Sequence, residues 1–503
     1  EISPLEQFLP PSPQAAALAR YGEYPVSLAT GVPEINIPLY EIKLGNYTLP
    51  ISISYHASGI KVDDVASTVG LGWVLNAGGA VSRTVCGAPD LRSNTSETQD
   101  TLYRSYERFS SIYYSSGYGE QYSSIIIPIL RDGLNSTYDI ASDRYSYNFG
   151  GKAGIFRYSH RDRRFVTLNH QPIMIFHHQL GNEDSYFEII DSDGITYIFH
   201  AIEHTLMHGS DYMCPTSWYV TQIQTPNGNI NFTYENSTSY TMKQWAYGLS
   251  VGSHIFYDSE CICMDSICCG RNSYSDSYYH YNPLLVKKIT WKGNSIEFTY
   301  SDRHDRANKR LTTIEVKGCD GSTYKTVSLN NNSYLGNSED NYRMMLSSIS
   351  ISDEGTYTFY YNNKQLPNYD NSGHRDYWGY YNTDSTYLYQ VPREAAAEAY
   401  HRFPQINYSA TNDLRYANRN PNLVFAKAGI LESIYYPTGG HTQFTYELNL
   451  NGRTGGLRVA SIMDAGPIGT TSRTRTFTYS GHATQNSPKD ALVYTTYHGY
   501  ESV

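Results

Sequence analysis

The sequence predicts an all-β protein: a large curved antiparallel sheet wound from irregular hairpin repeats, with a few short helices. Three observations lead there. Tyr dominates the composition, 50 residues against 16 Phe and 5 Trp, while charged residues make up only 17% of the 503. Apolar positions alternate with period two between breaks at Gly, Asn, Asp or Pro. A hairpin unit with a fixed ending recurs along the chain. Tyrosine suits such a surface, because its ring covers apolar area and its hydroxyl is left for water or a backbone partner.

Taken in order, Ser12-Pro13-Gln14-Ala15 opens a short helix with an N-cap serine and proline at the first helical position. Two strands follow, Ile35 to Tyr40 and Leu49 to Tyr55, joined by a turn near Leu44-Gly45-Asn46. The repeat then appears: an apolar strand, a turn, and a return strand ending in Phe-Thr-Tyr or a near variant. One copy starts at Val220-Thr221-Gln222-Ile223 and ends at Tyr234; the next starts at Val286 and ends at Tyr300. Further copies run from Leu346 to Tyr360, from Leu431 through the turn Pro437-Thr438-Gly439-Gly440 to Tyr446, and from Val459 to Tyr479. A looser sixth surrounds Asp191-Ser192-Asp193-Gly194. One hairpin cannot bury its own apolar face, so neighbouring copies are expected to pair side by side in one sheet. Their uneven spacing, with Tyr/Ser-rich inserts, argues against an evenly bladed propeller. A second short alanine helix is expected from Pro392 to Tyr400. The natural division is an N-terminal β module over 1–95, a second β module with Tyr/Ser-rich loops over 96–215, and the hairpin-repeat segment over 216–503.

The net charge is -10, and the densest basic run, Arg161-Asp162-Arg163-Arg164, is short and mixed, so nucleic acid is not an expected partner. The longest apolar run, Ile125 to Leu130, holds Pro128 and falls far short of the ~20 residues of a membrane helix. A start at Glu1 with a polar, proline-rich stretch suits a processed N-terminus with its signal peptide removed, and hence an extracytoplasmic protein. Cys261, Cys263, Cys268 and Cys269 crowd one loop, where disulfides are the expectation outside the cell. Zinc is the alternative, against which Cys-x-Cys and Cys-Cys stand in place of a Cys-x-x-Cys knuckle.

Candidate chemistry is sparse. Gly150-Gly151-Lys152 lacks the upstream glycine and following Ser/Thr of a phosphate loop and reads as a strand turn. His177-His178 reads as a strand end, and His304-Asp305, beside Arg303 and Arg306, as a solvated turn. Asp63-Asp64 has no partner carboxylate at a useful spacing, and the tryptophans read mostly as sheet anchors. No nucleophile, acid/base pair or metal set emerges, so no cofactor and no catalysis are expected.

Several longer strings carry a resemblance. Ser54-Tyr55-His56-Ala57-Ser58-Gly59 is followed by Gly70-Leu71-Gly72-Trp73 and, further on, by Tyr145-Ser146-Tyr147-Asn148-Phe149-Gly150. Asp376-Tyr377-Trp378-Gly379-Tyr380-Tyr381-Asn382 precedes Tyr436-Pro437-Thr438-Gly439-Gly440-His441 and Gly455-Gly456-Leu457-Arg458-Val459. In this order the set resembles the N-terminal half of the RHS/YD-repeat proteins of Bacteroidota, and its Gly-Leu-Gly-Trp string is shared with insecticidal-toxin shell proteins. The resemblance implies that the curved sheet forms a partial shell or cocoon, and that the chain is a structural wall segment at the cell surface or secreted, enclosing or displaying a C-terminal cargo or toxin. Its implied partners are the C-terminal YD-core or cargo portion of the same or a neighbouring polypeptide, and outer-membrane or secretion-system proteins. The alternative class is a surface adhesin or glycan-binding protein that uses its Tyr-rich loops.

Overall fold

The computed structural model describes residues 8–9, 31–86, 142–159, 162–168, 171–180, 184–207, 213–253, 267–305, 309–369, 372–385, 389–392, 416–449, 455–467 and 472–479. The expected helix from Ser12 and most of that from Pro392 lie outside these residues, as do Cys261 and Cys263. The fold is all-β, dominated by a 22-stranded sheet beside a three-stranded one. Its described α-helix is one turn, Leu423–Ala426, capped by the Asn422 side chain on the Val424 amide.

Pairing in the large sheet follows the hairpin units. Met213–Thr225 pairs with Gly228–Asn236, which pairs with Leu284–Trp291, and then with each other come Asn294–Asp302, Lys309–Lys317 and Thr323–Asn330. The order continues through Ser348–Ile351, Gly355–Tyr361, Leu431–Tyr435, His441–Leu448, Leu457–Ala465 and Ser472–Thr476, every pair antiparallel. The endings at Tyr234, Tyr300, Tyr360 and Tyr446 thus sit on strands of one continuous sheet, as the hairpin grammar requires, while Phe477 to Tyr479 follow its last strand. At the other end Met213–Thr225 also pairs with Thr196–Met207 and, over Ser217 to Tyr219, with Gly79–Cys86. Hydrogen-bonded pairing therefore crosses both boundaries drawn from the sequence.

The three-stranded sheet, Glu34–Leu44, Tyr47–His56 and Trp73–Asn76, lies across one face of the large one. Strict alternation turns Ile35, Ile37 and Leu39 inward, and a register break after Pro38 keeps Ile42 and Leu44 on the same side. These side chains join one contiguous core running from Val32 through Phe232, Ile289, Ile314 and Ile349 to Ile462. Ring contacts mark the path: Tyr47 on Tyr197 at 6.5 Å, Tyr40 on Trp291 at 6.0 Å and Trp73 on Phe359 at 4.7 Å. The N-terminal hairpin is a keel laid across the strands of the repeat.

Candidate functional site

The keel and the repeat meet through a recurring detail. Each unit opens with an apolar residue and places an isoleucine three positions later: Val220/Ile223, Val286/Ile289, Leu311/Ile314, Leu346/Ile349, Leu431/Ile434 and Val459/Ile462. Spacing of three puts two side chains on opposite faces of a regular strand. A β-bulge restores them to one face by adding a residue. Register breaks stand opposite Lys287, Thr312, Glu432 and Ala460, between Thr233 and Tyr234, Thr299 and Tyr300, Tyr360 and Tyr361, and Thr445 and Tyr446.

A bulge interrupts the ladder, and the opening residue's backbone groups then need other partners. The carbonyls receive a side chain from the end of the same unit. Tyr234 Oη donates to Val220 O at 2.7 Å, Tyr300 Oη to Val286 O at 2.9 Å and Tyr361 Oη to Leu346 O at 2.6 Å. Tyr446 Oη donates to Leu431 O at 2.7 Å and Tyr479 Oη to Val459 O at 2.6 Å. Burial raises the phenol pKa of Tyr234, Tyr300, Tyr361 and Tyr446 far above its ordinary value, so each stays a neutral donor.

Three of the opening amides are met by the keel and the segments that flank it. Leu311 N–H donates to Thr68 O at 2.8 Å, and Val459 N–H to Gly31 O at 2.7 Å. Leu431 N–H donates to Tyr55 Oη at 3.0 Å. The keel thus supplies hydrogen bonds where the repeat breaks its own ladder, as well as apolar cover.

Two features of the latches differ from the sequence reading. The third latch is Tyr361; Tyr360 is 54% exposed on the opposite face. The conserved spacing within this chain is Phe-x-Tyr, and Phe359 is the buried aromatic equivalent to Phe232, Phe298 and Phe444, which assigns Tyr360 to the outward middle position. A further unit begins at Leu311 and escapes a search for Phe-Thr-Tyr because its return strand carries Val327-Ser328-Leu329. There Asn331 replaces tyrosine: its Nδ2 donates to Leu311 O at 2.9 Å and also reaches Val69 O at 3.0 Å.

The family-like strings are the joints of the keel. Trp73 is 1% exposed, and its indole N–H donates to Tyr361 Oη at 2.7 Å. Leu71 N–H bonds Met344 O at 2.8 Å, while Gly70 packs on the Leu346 backbone. Gly72, at φ 76°, leaves room for the Tyr55 ring, which a Cβ there would approach to 2.5 Å. In the second string, Asp376 Oδ1 accepts from the amides of Trp378 and Tyr380, both at 2.9 Å, and Gly379 O accepts from Val62 N–H at 3.0 Å. Trp378 covers Gly455, Tyr380 covers Gly456, and Leu457 N–H bonds Ser58 O at 2.8 Å. Strings hundreds of residues apart in sequence therefore form one joint. Gly439 and Gly440 serve the hairpin turn, where Tyr436 N–H bonds Gly440 O at 2.8 Å.

The Arg303–Asp305 turn is a correction. Both side chains are 0% exposed and 2.5 Å apart. Arg303 donates to the carbonyls of Ala66 and Ser67, and Asp305 Oδ2 accepts from Met344 N–H. Guanidinium hydrogen bonds to loop carbonyls and an adjacent carboxylate make burial of this charge tolerable. A second buried pair, Arg83 with Asp143 at 3.7 Å, sits beside Cys214, whose sulfur accepts from Arg83 Nη2 at 3.0 Å. Gly150-Gly151 forms the turn between Arg144–Phe149 and Lys152–Ser159, with Lys152 on Asp191 at 2.8 Å.

An open cavity of about 410 Å³ separates Gly31–Pro38 of the keel from the inner face of the last units. Ile434, Phe444, Ile462 and Phe477 line it, beside a polar chain in which Tyr436 Oη and Thr442 Oγ1 lie 2.9 Å apart. Thr442 donates to Asp464 at 2.7 Å, and Arg475 bonds the same carboxylate at 3.0 Å. Tyr436, Thr442, Asp464 and Arg475 are thus bonded to one another. Of the cysteine loop, Cys261 and Cys263 lie outside the described residues and Cys268 and Cys269 lie on the strand Ile267–Asn282, while Cys319 carries a free, exposed thiol.

No protein-family model and no curated protein sequence matches the chain. Among solved structures, the N-terminal domain of effector protein SpvB from Salmonella typhimurium strain LT2 is similar at TM-score 0.20 and 10% identity, over 88% of this chain and 99% of that one. A likeness at that level decides neither fold nor function.

Proposed function

We propose that the chain is a structural wall segment of a YD/Rhs-type shell, at the cell surface or secreted, which encloses or displays a C-terminal cargo portion of the same or a neighbouring polypeptide. The observation that carries the reading is the repeated latch: the same side-chain bond to the opening carbonyl closes successive hairpins of one antiparallel sheet. Investment of this kind recurs from Val220 to Tyr479 among the described residues, as a wall requires. The strings that resemble those of RHS/YD-repeat proteins support it too, because they form the joints that fix the keel to the sheet. Outer-membrane or secretion-system proteins are the expected further partners.

The test is to isolate the native gene product from its source, measure its intact mass and digest it under native conditions. A product that extends past this chain, with its distal portion protected from protease until the sheet is denatured, is the expected result. A distal portion cleaved as fast as an isolated peptide, or a product with none, would overturn the proposal.

A further inference from the structure

On the face turned away from the keel, three rings lie on three neighbouring strands. Tyr360 is 54% exposed and Tyr435 43% exposed, with ring centroids 5.2 Å apart and planes at 72°. Tyr435 in turn stacks on His441 at 4.8 Å and 14°. Large aromatic side chains seldom stand together in water without a reason. The strand order places them beside short neutral side chains: Thr358, Ser433 and Gln443 share the strands, and the Ser350 and Thr356 hydroxyls bond each other at 2.9 Å on the flank. None of these residues is an Asp, Glu, Lys or Arg, on a chain whose net charge is -10.

We infer that this outer strip is a binding platform for a neutral polysaccharide. Ring faces and edges offer apolar contact to the C–H faces of pyranose rings, and the surrounding hydroxyls and amide match sugar hydroxyls. The absence of Asp, Glu, Lys and Arg disfavours an anionic or cationic ligand. Size decides against a stable protein partner. Two tyrosine rings of about 150–250 Å² each, roughly half exposed, offer about 200 Å², and the partly buried His441 adds less, well below the ~800 Å² per side of a standard protein interface. The platform is independent of the wall reading, since it uses the opposite face of the sheet from the keel and latches.

The experiment is native affinity electrophoresis of the full chain through gels holding neutral soluble polysaccharides, with β-glucan, mannan, xyloglucan and dextran as probes. The comparison is with Tyr435→Ser and the Tyr360→Ser/Tyr435→Ser double variant. Both positions are exposed, and thermal melting verifies that the variants keep the wild-type fold. Retardation by at least one polysaccharide, weakened tenfold or more in Tyr435→Ser and lost in the double variant, is expected. No retardation across the panel overturns the inference, as does retardation that the double variant retains. Concentration-dependent self-association abolished by the same substitutions, without polysaccharide binding, would assign the strip to a copy of the chain instead.

Discussion

At the scale of single residues, the hydroxyl of the latch tyrosine is separable from its ring. Tyr300→Phe keeps the ring that packs on the core and leaves Val286 O without its donor. Such a loss costs about 1–2 kcal/mol, whereas Tyr360→Phe, on the outward face, is expected to stay within about 0.5 kcal/mol of wild type. Urea denaturation of the two variants decides the matter, and equal effects would contradict the latch. His177 gives a second residue-scale test. Its ring lies 4.9 Å from Phe187, and burial, with Arg83 nearby, lowers its pKa to about 4. The folded chain therefore holds it neutral while the unfolded chain takes a proton near pH 6.5. Stability from this group is complete above about pH 6.5 and is lost as pH falls toward 4. Asp376 acts in the opposite sense, because burial raises its pKa to about 6 and the folded chain binds the proton first. A His177→Phe variant isolates the histidine: its melting temperature should fall less between pH 7.5 and 4.5 than that of wild type. Equal falls would show that the ring is not held neutral.

At the scale of elements, much was legible and the reasons for the gaps are specific. Period-two alternation and hairpin turns are local properties, so the strands from Glu34 and Tyr47 and the units from Val220, Val286, Leu431 and Val459 could be read directly. The bulge was written in the spacing of Val286 to Ile289, but recognising it requires knowing that both side chains face one core. Leu311 was missed because Asn331 does the work of a tyrosine by a different chemistry, and Arg303 because its carbonyl partners, Ala66 and Ser67, are distant in sequence. The Gly-Leu-Gly-Trp string could be found by pattern, while its purpose depends on a ring contributed by another strand. That purpose can be measured. Gly72→Ala combines a positive φ with a Cβ 2.5 Å from the Tyr55 ring, and is expected to cost more than about 2 kcal/mol. Gly194→Ala, at φ 74° with nothing within 4 Å, carries only the backbone cost of about 1–2 kcal/mol. If Gly72→Ala proves no worse than Gly194→Ala, close packing is not what fixes glycine in the string.

At the scale of the whole molecule, the question is whether the hairpins unfold as independent repeats or as one body. In a linear array each repeat touches only its neighbours, and damage to one spreads by nearest-neighbour coupling alone. Here the keel contacts units far apart in the array: Gly31 meets Val459, Tyr55 meets Leu431, Thr68 meets Leu311 and Tyr40 meets Trp291. Trp73 is its central pin, bonded to Tyr361 and packed 4.7 Å from Phe359 and 5.1 Å from Tyr55. Trp73→Ala removes that bond and both ring contacts, a truncation of the class that costs about 3–5 kcal/mol. With the pin gone, Tyr55 loses its support, and the Leu431 amide loses the protection of the Tyr55 hydroxyl. Hydrogen exchange followed by mass spectrometry should then show faster exchange in peptides covering 220–234, 286–300 and 431–446 together, by a common factor. This follows because the slowest amides of a cooperative body exchange through global opening, whose free energy the substitution lowers for all of them alike. Acceleration confined to residues 346–361, with the other units unchanged, would mean that the keel merely lies on the repeat and does not couple it.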